Sequence, residues 1–292
     1  MMLTLKAPAK LNLSLDIIGK TSDNYHQLDS VMVAVDLYDE LTFERGGEGA
    51  YFSCDRPDLP MDDDNLVVKA ANLFFSVTGI STQSPGNGIK LRLQKVIPRQ
   101  AGLGGGSSDA AATLSGLNRL YQTGLSREEL IKLSVNIGSD IPFCINGGIA
   151  RAGGRGEIIE SIAPLPSSAV FVIAKPEVGV STHKAFYLYS QNPVADHFET
   201  GKLVAAINSG NMVQIGGHIS NIFEGVLDIS QVHEIKKTLL GHGALGAAMT
   251  GSGSAVSGLF ESVQTAEICL EDLRKKQDIV NFSCICSPLY SS

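Results

Sequence analysis

The first part of the chain alternates between apolar residues and small or polar ones, with the period of two that is typical of a half-buried β-strand. Leucine or isoleucine occupies most odd positions in residues 3–17, and residues 31–43 repeat the β pattern. Pro8 interrupts the first segment, which predicts two strands there, and the polar stretch 23–30 predicts a turn. We therefore expect residues 1–45 to form a β-meander.

The apolar spacing then changes to that of amphipathic helices. Residues 62–79 begin with acidic side chains and end in glycine, which predicts a helix, and residues 88–98 predict a strand that ends at a proline. Residues 107–122 predict a second helix, and Ser126 with Glu129 predicts a capping box that opens a third. The predicted buried faces are Leu66, Ala70, Leu73 and Val77 in the first helix and Ala110, Leu114, Leu117 and Tyr121 in the second.

The second half of the chain contains strands and helices in runs instead of strict alternation. Residues 164–168 change the composition before an apolar strand at 169–176, which predicts a domain boundary near residue 160. Runs of strands followed by runs of helices favour an α+β fold over a doubly wound parallel sheet. We expect two α+β domains, at 1–160 and 161–292.

Composition restricts the possible function classes. The chain has 292 residues, of which 43% are hydrophobic and 18% charged, so it can bury a sizeable core and disorder is excluded for most of its length. A net charge of −7 and the absence of tryptophan argue against a nucleic-acid partner. No apolar run approaches the length of about 20 residues that spans a membrane, and the chain does not begin with a signal peptide, which predicts a soluble cytoplasmic protein without a membrane partner. The five cysteines form no pair of CxxC motifs, which favours free thiols over disulfides or a zinc site.

The strongest chemical motif is a glycine cluster in residues 98–111, PRQAGLGGGSSDAA. Glycine occupies four of the five positions in 102–106, and a predicted helix follows directly. The backbone N–H groups of such a loop, together with the positive end of the helix dipole, bind anions such as phosphate. Glycine permits close approach of the backbone to the anion and positive φ angles. The alternative is a tight strand-to-helix connection, and the Walker A pattern is absent.

The same loop resembles the phosphate loop of the GHMP kinases, whose core form is P-x-x-x-G-L-G-S-S-A-A. Four other segments resemble that family in the same order along the chain. They are APAKLNLSLDI at 7–17, DNYHQLDSVM at 23–32, IGSDIPFCINGGIARAGGRGE at 137–157 and MTGSGSAVSGLF at 249–260. The GLGGGSS form of the loop is similar to the branch of the family whose acceptor carries a cytidine diphosphate group. The resemblance implies a two-domain fold with ATP and the acceptor in the cleft between the domains, and it implies ATP as co-substrate together with Mg²⁺.

The resemblance also implies which residues bind ATP and which carry out the transfer. Lys10 and Asp140 are the implied catalytic pair, in which Asp140 accepts the proton of the acceptor hydroxyl and Lys10 keeps Asp140 ionised. From the residues alone, Lys10 is a charged group in an apolar strand that needs a partner or water, or a surface lysine at a sheet edge. Asp140 also fits a helix N-cap. The implied ATP-binding residues are Pro98, Arg99, Gln100, Ala101, Gly102, Leu103, Gly104, Gly105, Gly106, Ser107, Ser108, Asn65 and Lys95.

Binding of the acceptor is predicted near Tyr25 and His26. An exposed aromatic ring beside an imidazole suits stacking on a base and contact with its edge, and the alternative is an ordinary surface turn. The resemblance implies that Tyr25, His26 and Phe186 enclose the cytosine of the acceptor, and it assigns Asn12 to the substrate as well. Small-molecule substrates are therefore the expected partners.

Some positions depart from the family pattern or leave alternatives open. Asp109 adds a negative charge close to the phosphates, which opposes ATP binding although it favours the start of the helix through the dipole. Arg151 and Arg155 lie in a glycine-rich segment that fits either the diphosphate of the acceptor or a surface hairpin. Segment 249–260 fits either closure of the phosphate site or a closely packed strand.

Two other functions compete with the cytidylyl acceptor. One is another small-alcohol kinase of the same family, of the homoserine or mevalonate type. The other is a ligand-binding relative that retained the fold and lost catalysis, and the presence of both Lys10 and Asp140 argues against it.

Overall fold

The computed structural model describes residues 1–20, 25–59 and 61–290 of the chain. Its strands are β1 (Met2–Lys20), β2 (His26–Arg45), β3 (Ala50–Cys54), β4 (Ile89–Gln94), β5 (Ile149–Gly154), β6 (Ile158–Ser161), β7 (Val170–Lys175), β8 (Ser220–Asn221), β9 (Gly246–Met249), β10 (Val256–Phe260) and β11 (Phe282–Cys286). Its α-helices are α1 (Leu66–Thr78), α2 (Gly105–Tyr121), α3 (Arg127–Ser134), α4 (Ile141–Asn146), α5 (Thr182–Gln191), α6 (Thr200–Ser209), α7 (Met212–Gly217), α8 (Ser230–Gly241) and α9 (Val263–Lys275), and a short 3₁₀ helix covers Ile222–Gly225.

The chain divides into two compact units that are each assembled from separate segments. Unit 1 contains Met1–Ala9, Leu37–Ile97 and Gly104–Asn146, and unit 2 contains Lys10–Asp36, Pro98–Leu103 and Gly147–Ser292. The predicted division into domains 1–160 and 161–292 stays a prediction.

Unit 1 consists of helices packed on a sheet with the strand order β3-β4-β2. β4 pairs in antiparallel with residues 40–45 of β2 and in parallel with β3. Alternate residues of β4 are buried, because one face of the strand packs on the core. Phe43 of β2 lies so close to α2 that a Cβ atom on Gly116 would be 2.4 Å from its ring. The core of unit 1 therefore forms between one sheet face and the helices α1 and α2.

Local capping groups determine where the helices of unit 1 begin. Asn65 caps α1, since its side chain accepts a hydrogen bond from the Val67 N–H at 2.9 Å. The capping box between Ser126 and Glu129 is present at the start of α3, which confirms that prediction. Helices α1 and α2 are confirmed as well, and the predicted face of α2 is buried. The predicted face of α1 is only partly right, because Val77 is 50% exposed. The buried residues of α1 are Val67, Val68, Ala70, Ala71 and Phe74.

Unit 2 contains an antiparallel sheet with the order β11-β7-β10-β9. The predicted apolar strand is β7, and all of its residues are buried because it lies inside the sheet and under the helices α8 and α9. Elsewhere in the unit, β5 pairs with residues 28–33 of β2 and with β6, and β8 pairs in parallel with β1. Both units combine helices with mixed or antiparallel sheets, which confirms the α+β prediction.

Two predictions about the first strands are wrong. β1 runs unbroken through Pro8, since an extended strand accommodates the fixed φ of proline wherever no ladder hydrogen bond needs its N–H group. β2 begins at His26, so most of the predicted turn at 23–30 is strand, and residues 21–24 lie outside the described residues. A polar composition therefore failed to distinguish a turn from the exposed start of a strand.

All five cysteines lie in the described residues and none of them forms a disulfide there; Cys269 and Cys286 are buried. Burial raises the pKa of the Cys269 thiol to about 11, so this group is protonated at neutral pH. Within the part of the chain that the structure describes, no helix is both long and apolar enough to span a membrane.

Candidate active site

A row of polar side chains lies along one face of β1 in unit 2, where the rest of the strand is apolar. Lys10 is only 3% exposed, and its ammonium donates a hydrogen bond to Asn12 Oδ1 at 2.5 Å. Asn12 Nδ2 in turn donates to Ser30 Oγ of β2 at 2.8 Å, and Ser30 Oγ donates to the Ser14 carbonyl at 2.6 Å. The structure thus confirms that the buried Lys10 reaches a polar partner, and these bonds restrict where its ammonium can point.

The predicted segment 249–260 packs against this row. The Asn12 N–H donates to Thr250 Oγ1 at 2.9 Å, and a Cβ atom on Gly251 would be 3.1 Å from Lys10 Nζ. Asn221 holds the segment in place, because its Nδ2 donates to the carbonyls of Met249 at 2.6 Å and Gly251 at 2.8 Å. Ser30 and Thr250 lie in segments that resemble the family, but neither they nor Asn221 were predicted individually, since lone polar residues carry no spacing pattern.

The first half of the glycine loop, residues 98–103, belongs to unit 2 and is held by its backbone. The carbonyls of Gln100 and Ala101 accept hydrogen bonds from residues 254 and 255 at 3.3 and 3.1 Å, and the Leu103 carbonyl accepts from the Lys10 N–H at 3.0 Å. Gly102 has a φ of +75°, and a Cβ atom there would be 1.9 Å from the Thr250 carbonyl oxygen. Only glycine fits this position, because any side chain would separate the loop from segment 249–260.

The second half of the loop belongs to unit 1 and forms the start of α2. Gly104 is the N-cap residue with a φ of +68° and no capping side chain, so the first backbone N–H groups of α2 lack side-chain acceptors. Ser107 is half-buried at this end of the helix. Ser108 is 1% exposed, and its Oγ has no hydrogen-bond partner among the described residues. The helix start therefore combines N–H donors, the positive end of a helix dipole and an unpartnered hydroxyl, which together suit an anion.

Asp140 lies in unit 1 directly before α4. Its carboxylate is part of a half-buried residue, and its backbone carbonyl accepts from the Cys144 N–H at 3.1 Å as the helix begins. The helix start fixes the backbone of Asp140, so the carboxylate is carried on a defined turn. Lys10 belongs to unit 2 and Asp140 to unit 1, and each residue is described here by the contacts within its own unit.

The two predicted ATP-binding residues outside the glycine loop, Asn65 and Lys95, have different surroundings. Asn65 caps α1 through Oδ1, and its Nδ2 lies 3.2 Å from Met61 Sδ. The ammonium of Lys95 is bonded to the carboxylates of Asp39 and Asp109, and the Lys95 side chain is only 6% exposed. Contact of either residue with ATP stays a prediction.

An aromatic cluster surrounds His26 in unit 2. The ring centroids of His26 and Phe186 are 5.0 Å apart with an angle of 33° between the planes, and Phe186 meets Phe223 edge-on at 5.0 Å. Ser190 Oγ lies 3.0 Å from His26 Nε2. Burial and the charge of Lys20 lower the pKa of His26, so its imidazole is neutral at neutral pH. The structure therefore brings together His26 and Phe186, two of the three residues predicted around cytosine.

Tyr25 and the two arginines of the β5–β6 segment complete the description of this region. The Tyr25 side chain is 56% exposed, and the guanidinium carbon of Arg155 lies 3.8 Å from its ring centroid, a cation–π contact. Arg151 forms two hydrogen bonds of 2.8 Å with the Asp29 carboxylate. The segment therefore forms a β5–β6 hairpin, and Arg151 of β5 is paired with β2.

Comparisons with known proteins agree with this geometry. Residues 65–148 match the GHMP kinases N terminal domain, and residues 205–279 match the GHMP kinases C terminal domain. A 4-diphosphocytidyl-2-C-methyl-D-erythritol kinase of Clostridium kluyveri is 39% identical over 93% of this chain and 96% of its own length. The enzyme of the same name from Clostridium tetani is 37% identical over 96% of this chain and 98% of its own length.

Solved structures show the same similarity. A crystal structure of 4-(cytidine 5'-diphospho)-2C-methyl-D-erythritol kinase superposes with a TM-score of 0.79 at 29% identity, covering 98% of this chain and 99% of that one. Homoserine kinase from Cytophaga hutchinsonii superposes with a TM-score of 0.76 at 21% identity, covering 97% of this chain and 93% of that one. The second similarity concerns the fold alone.

Proposed function

Because this chain belongs to the GHMP kinases, we propose that it acts as a 4-diphosphocytidyl-2-C-methyl-D-erythritol kinase in isoprenoid precursor biosynthesis. In this reaction the γ-phosphate of ATP passes to the 2-hydroxyl of an acceptor that carries a cytidine diphosphate group. The observation that carries the proposal is the identity of 36–39% with enzymes of that name over 93% or more of the chain. The aromatic cluster at His26 supports a base-containing acceptor.

The glycine loop supports the role of ATP as co-substrate. The N–H groups at the start of α2 and the glycines at 102–106 suit the negatively charged phosphates. The unpartnered Ser108 hydroxyl is a hard oxygen donor, and Mg²⁺ prefers such donors together with phosphate oxygens and water. We therefore propose Ser107 and Ser108 as protein ligands for Mg²⁺ bound with ATP. When bound, the ion neutralises negative charge on the phosphates.

The transfer step needs a positioned hydroxyl and an acceptor for its proton. In our proposal the hydroxyl oxygen of the acceptor forms a bond to the γ-phosphorus, the bond from that phosphorus to the β–γ bridging oxygen breaks, and ADP leaves. The proton of the hydroxyl moves to the Asp140 carboxylate. The Lys10 ammonium, which is restricted by its bond to Asn12, favours the ionised carboxylate and the negative charge that develops on oxygen.

Tyr25, His26 and Phe186 are proposed to bind the cytosine, and Asn12 to contact the acceptor next to Lys10. Because Ser190 Oγ is bonded to His26 Nε2, the neutral imidazole offers Nδ1 to the edge of a base, and the Phe186 ring packed on His26 offers a face. The exposed Tyr25 ring, with Arg155 over one face, offers a further stacking surface.

An acceptor panel tests the proposed function. The purified protein should consume ATP with 4-diphosphocytidyl-2-C-methyl-D-erythritol and not with homoserine or mevalonate, and phosphorus NMR should locate the new phosphate on the 2-hydroxyl. Turnover with homoserine or mevalonate, and none with the cytidylyl acceptor, would make the protein another small-alcohol kinase of the family.

We expect Tyr25→Ala and Phe186→Ala each to raise the Kd of the cytidylyl acceptor by roughly 5- to 150-fold. Stacking of an aromatic side chain on a base is worth about 1–3 kcal/mol by alanine substitution, and about 1.4 kcal/mol corresponds to a factor of ten. The Kd of ATP should stay unchanged. Calorimetric titration of each variant with both ligands measures these effects.

Tyr187→Ala is the matched control, because Tyr187 is 57% exposed on the same helix as Phe186. It should leave the Kd of both ligands unchanged. If the Tyr25 and Phe186 variants lose ATP and acceptor affinity together with a lower melting temperature, the two rings serve packing instead of recognition of cytosine.

A further inference from the structure

Three charged side chains of unit 1 are buried together next to the start of α2. The Lys95 ammonium donates to Asp109 Oδ2 at 2.7 Å and is also bonded to Asp39 Oδ2. The side chains of Lys95, Asp39 and Asp109 are 6%, 0% and 3% exposed. We call Asp39, Lys95 and Asp109 the buried triad.

The buried triad connects the residues on both sides of the loop. Asp39 Oδ1 accepts from the N–H groups of Val96 at 2.6 Å and Ile97 at 2.8 Å, and Ile97 directly precedes the loop residue Pro98. Asp109 is the fifth residue of α2, the helix that begins inside the loop. A Cβ atom on Gly105 would be 3.2 Å from Lys95 Nζ, so the ammonium lies against the first residue of that helix.

Stability alone does not account for this arrangement. Replacing buried ion pairs by apolar side chains is often neutral or stabilising, because desolvation of the charges offsets their attraction. Here one ammonium faces two carboxylates, and Asp109 Oδ1 has no partner among the described residues. The gain that remains is geometric, since directional bonds define the relative positions of β2, the residues before the loop and α2.

We propose that the buried triad positions the glycine loop for ATP, with Asp39, Lys95 and Asp109 as positioning residues that do not touch the nucleotide. This positioning role rests on the proposed function in one respect, because it requires that ATP binds at the glycine loop. In this proposal the Lys95 side chain positions α2 through its bonds to the Asp39 and Asp109 carboxylates, in place of the predicted contact with ATP. Loss of the bond to α2 leaves the backbone N–H groups of the helix start displaced from their optimal positions for phosphate, which reduces ATP affinity.

Asp109 offers the sharpest test, because its replacement leaves the Lys95–Asp39 pair electrically balanced. Asp109→Leu removes the acceptor for Lys95, and we expect the Kd and the KM for ATP to rise about 10-fold, since displacements of less than 1 Å at a binding loop have effects of this size. The kcat at saturating ATP and the Kd of the acceptor should change by less than about threefold. Asp109→Ala tests the same loss with a smaller side chain in case leucine prevents folding.

Two further variants separate positioning from helix stability. Asp109→Asn keeps an oxygen acceptor toward Lys95 and removes a negative charge, so ATP should bind at least as well as to the unmodified protein. Thr113→Val is the matched control, because Thr113 is buried one turn further along α2 and its Oγ1 donates only to the Asp109 carbonyl at 2.8 Å. It should lower the melting temperature without changing the Kd of ATP.

Titration of each variant with ATP in the absence of acceptor measures the Kd of ATP, and a thermal melt shows whether the variant is folded. An unchanged Kd for ATP in folded Asp109→Leu or Asp109→Ala overturns the proposal, as does a 10-fold rise in Asp109→Asn or an equal rise in Thr113→Val. Protein that binds ATP but does not phosphorylate the cytidylyl acceptor would contradict only the proposed function. Unmodified protein that does not bind ATP would contradict both the proposed function and the role of the buried triad.

Discussion

Asp140→Asn should lower kcat by about 100-fold or more, which is the lower range of what a positioned acid–base group contributes. The amide has the size of the carboxylate but cannot take up the proton of the acceptor hydroxyl. The backbone bond from Cys144 to the carbonyl of residue 140 is unaffected, so the start of α4 and the fold should persist. Steady-state kinetics with a titration of ATP measure the effect, and the Kd of ATP should change by less than about threefold.

The same mechanism predicts that Lys10→Met lowers kcat by a similar factor, and that the double variant loses little more, because residues that act as a unit are not additive. Asp228→Asn is the control, since the Asp228 side chain is 99% exposed and has no proposed role. Near-normal turnover of Asp140→Asn would show that Asp140 does not accept the proton. Losses in kcat that multiply in the double variant would show that Lys10 and Asp140 do not act as a pair.

Gly102→Ala should raise the KM for ATP by about 100-fold and lower the melting temperature, because the new Cβ cannot be accommodated. It would lie 1.9 Å from the Thr250 carbonyl oxygen, a distance that real Cβ contacts do not show, so the loop and segment 249–260 must separate by about 1 Å. The left-handed backbone at this residue adds about 1–2 kcal/mol for any L side chain. Kinetics in ATP and a thermal melt measure both effects.

Gly124→Ala separates the clash from the backbone strain. Gly124 has a φ of +72°, close to the value at Gly102, but nothing lies within 4 Å of the position of a Cβ atom. The control should lose some stability and keep its KM for ATP. If both variants raise the KM for ATP equally, the strain of a left-handed alanine accounts for the effect of Gly102→Ala, and the clash with the Thr250 carbonyl does not.

The sequence predicted best those features that depend on neighbouring residues in the chain. The capping box at Ser126 depends on groups within three residues, and the helix after the glycine cluster depends on its own periodicity and on the glycines before it. The family similarity was predicted for the same reason, since each of its motifs is a continuous segment, and the comparisons confirm it. The break at Pro8 was predicted wrongly because an extended strand accommodates proline where no ladder hydrogen bond needs its N–H group, and the start of β2 was predicted wrongly because its pairing with β5 overrode the local preference.

The partners of buried polar groups were decided only by the tertiary structure. The sequence by itself determined that Lys10 is a charged residue in an apolar strand, that residues 102–106 can approach an anion, and that the fold is α+β. It did not determine that Asn12 and Thr250, which are separated by more than 200 positions, form a hydrogen bond, or that Lys95 is enclosed by two carboxylates. The physical reason is that the need of a buried polar group for a partner can be read from the sequence, because desolvation without a hydrogen bond is costly. The identity of the partner depends on the chain topology, which alone brings the two groups within about 3 Å of each other.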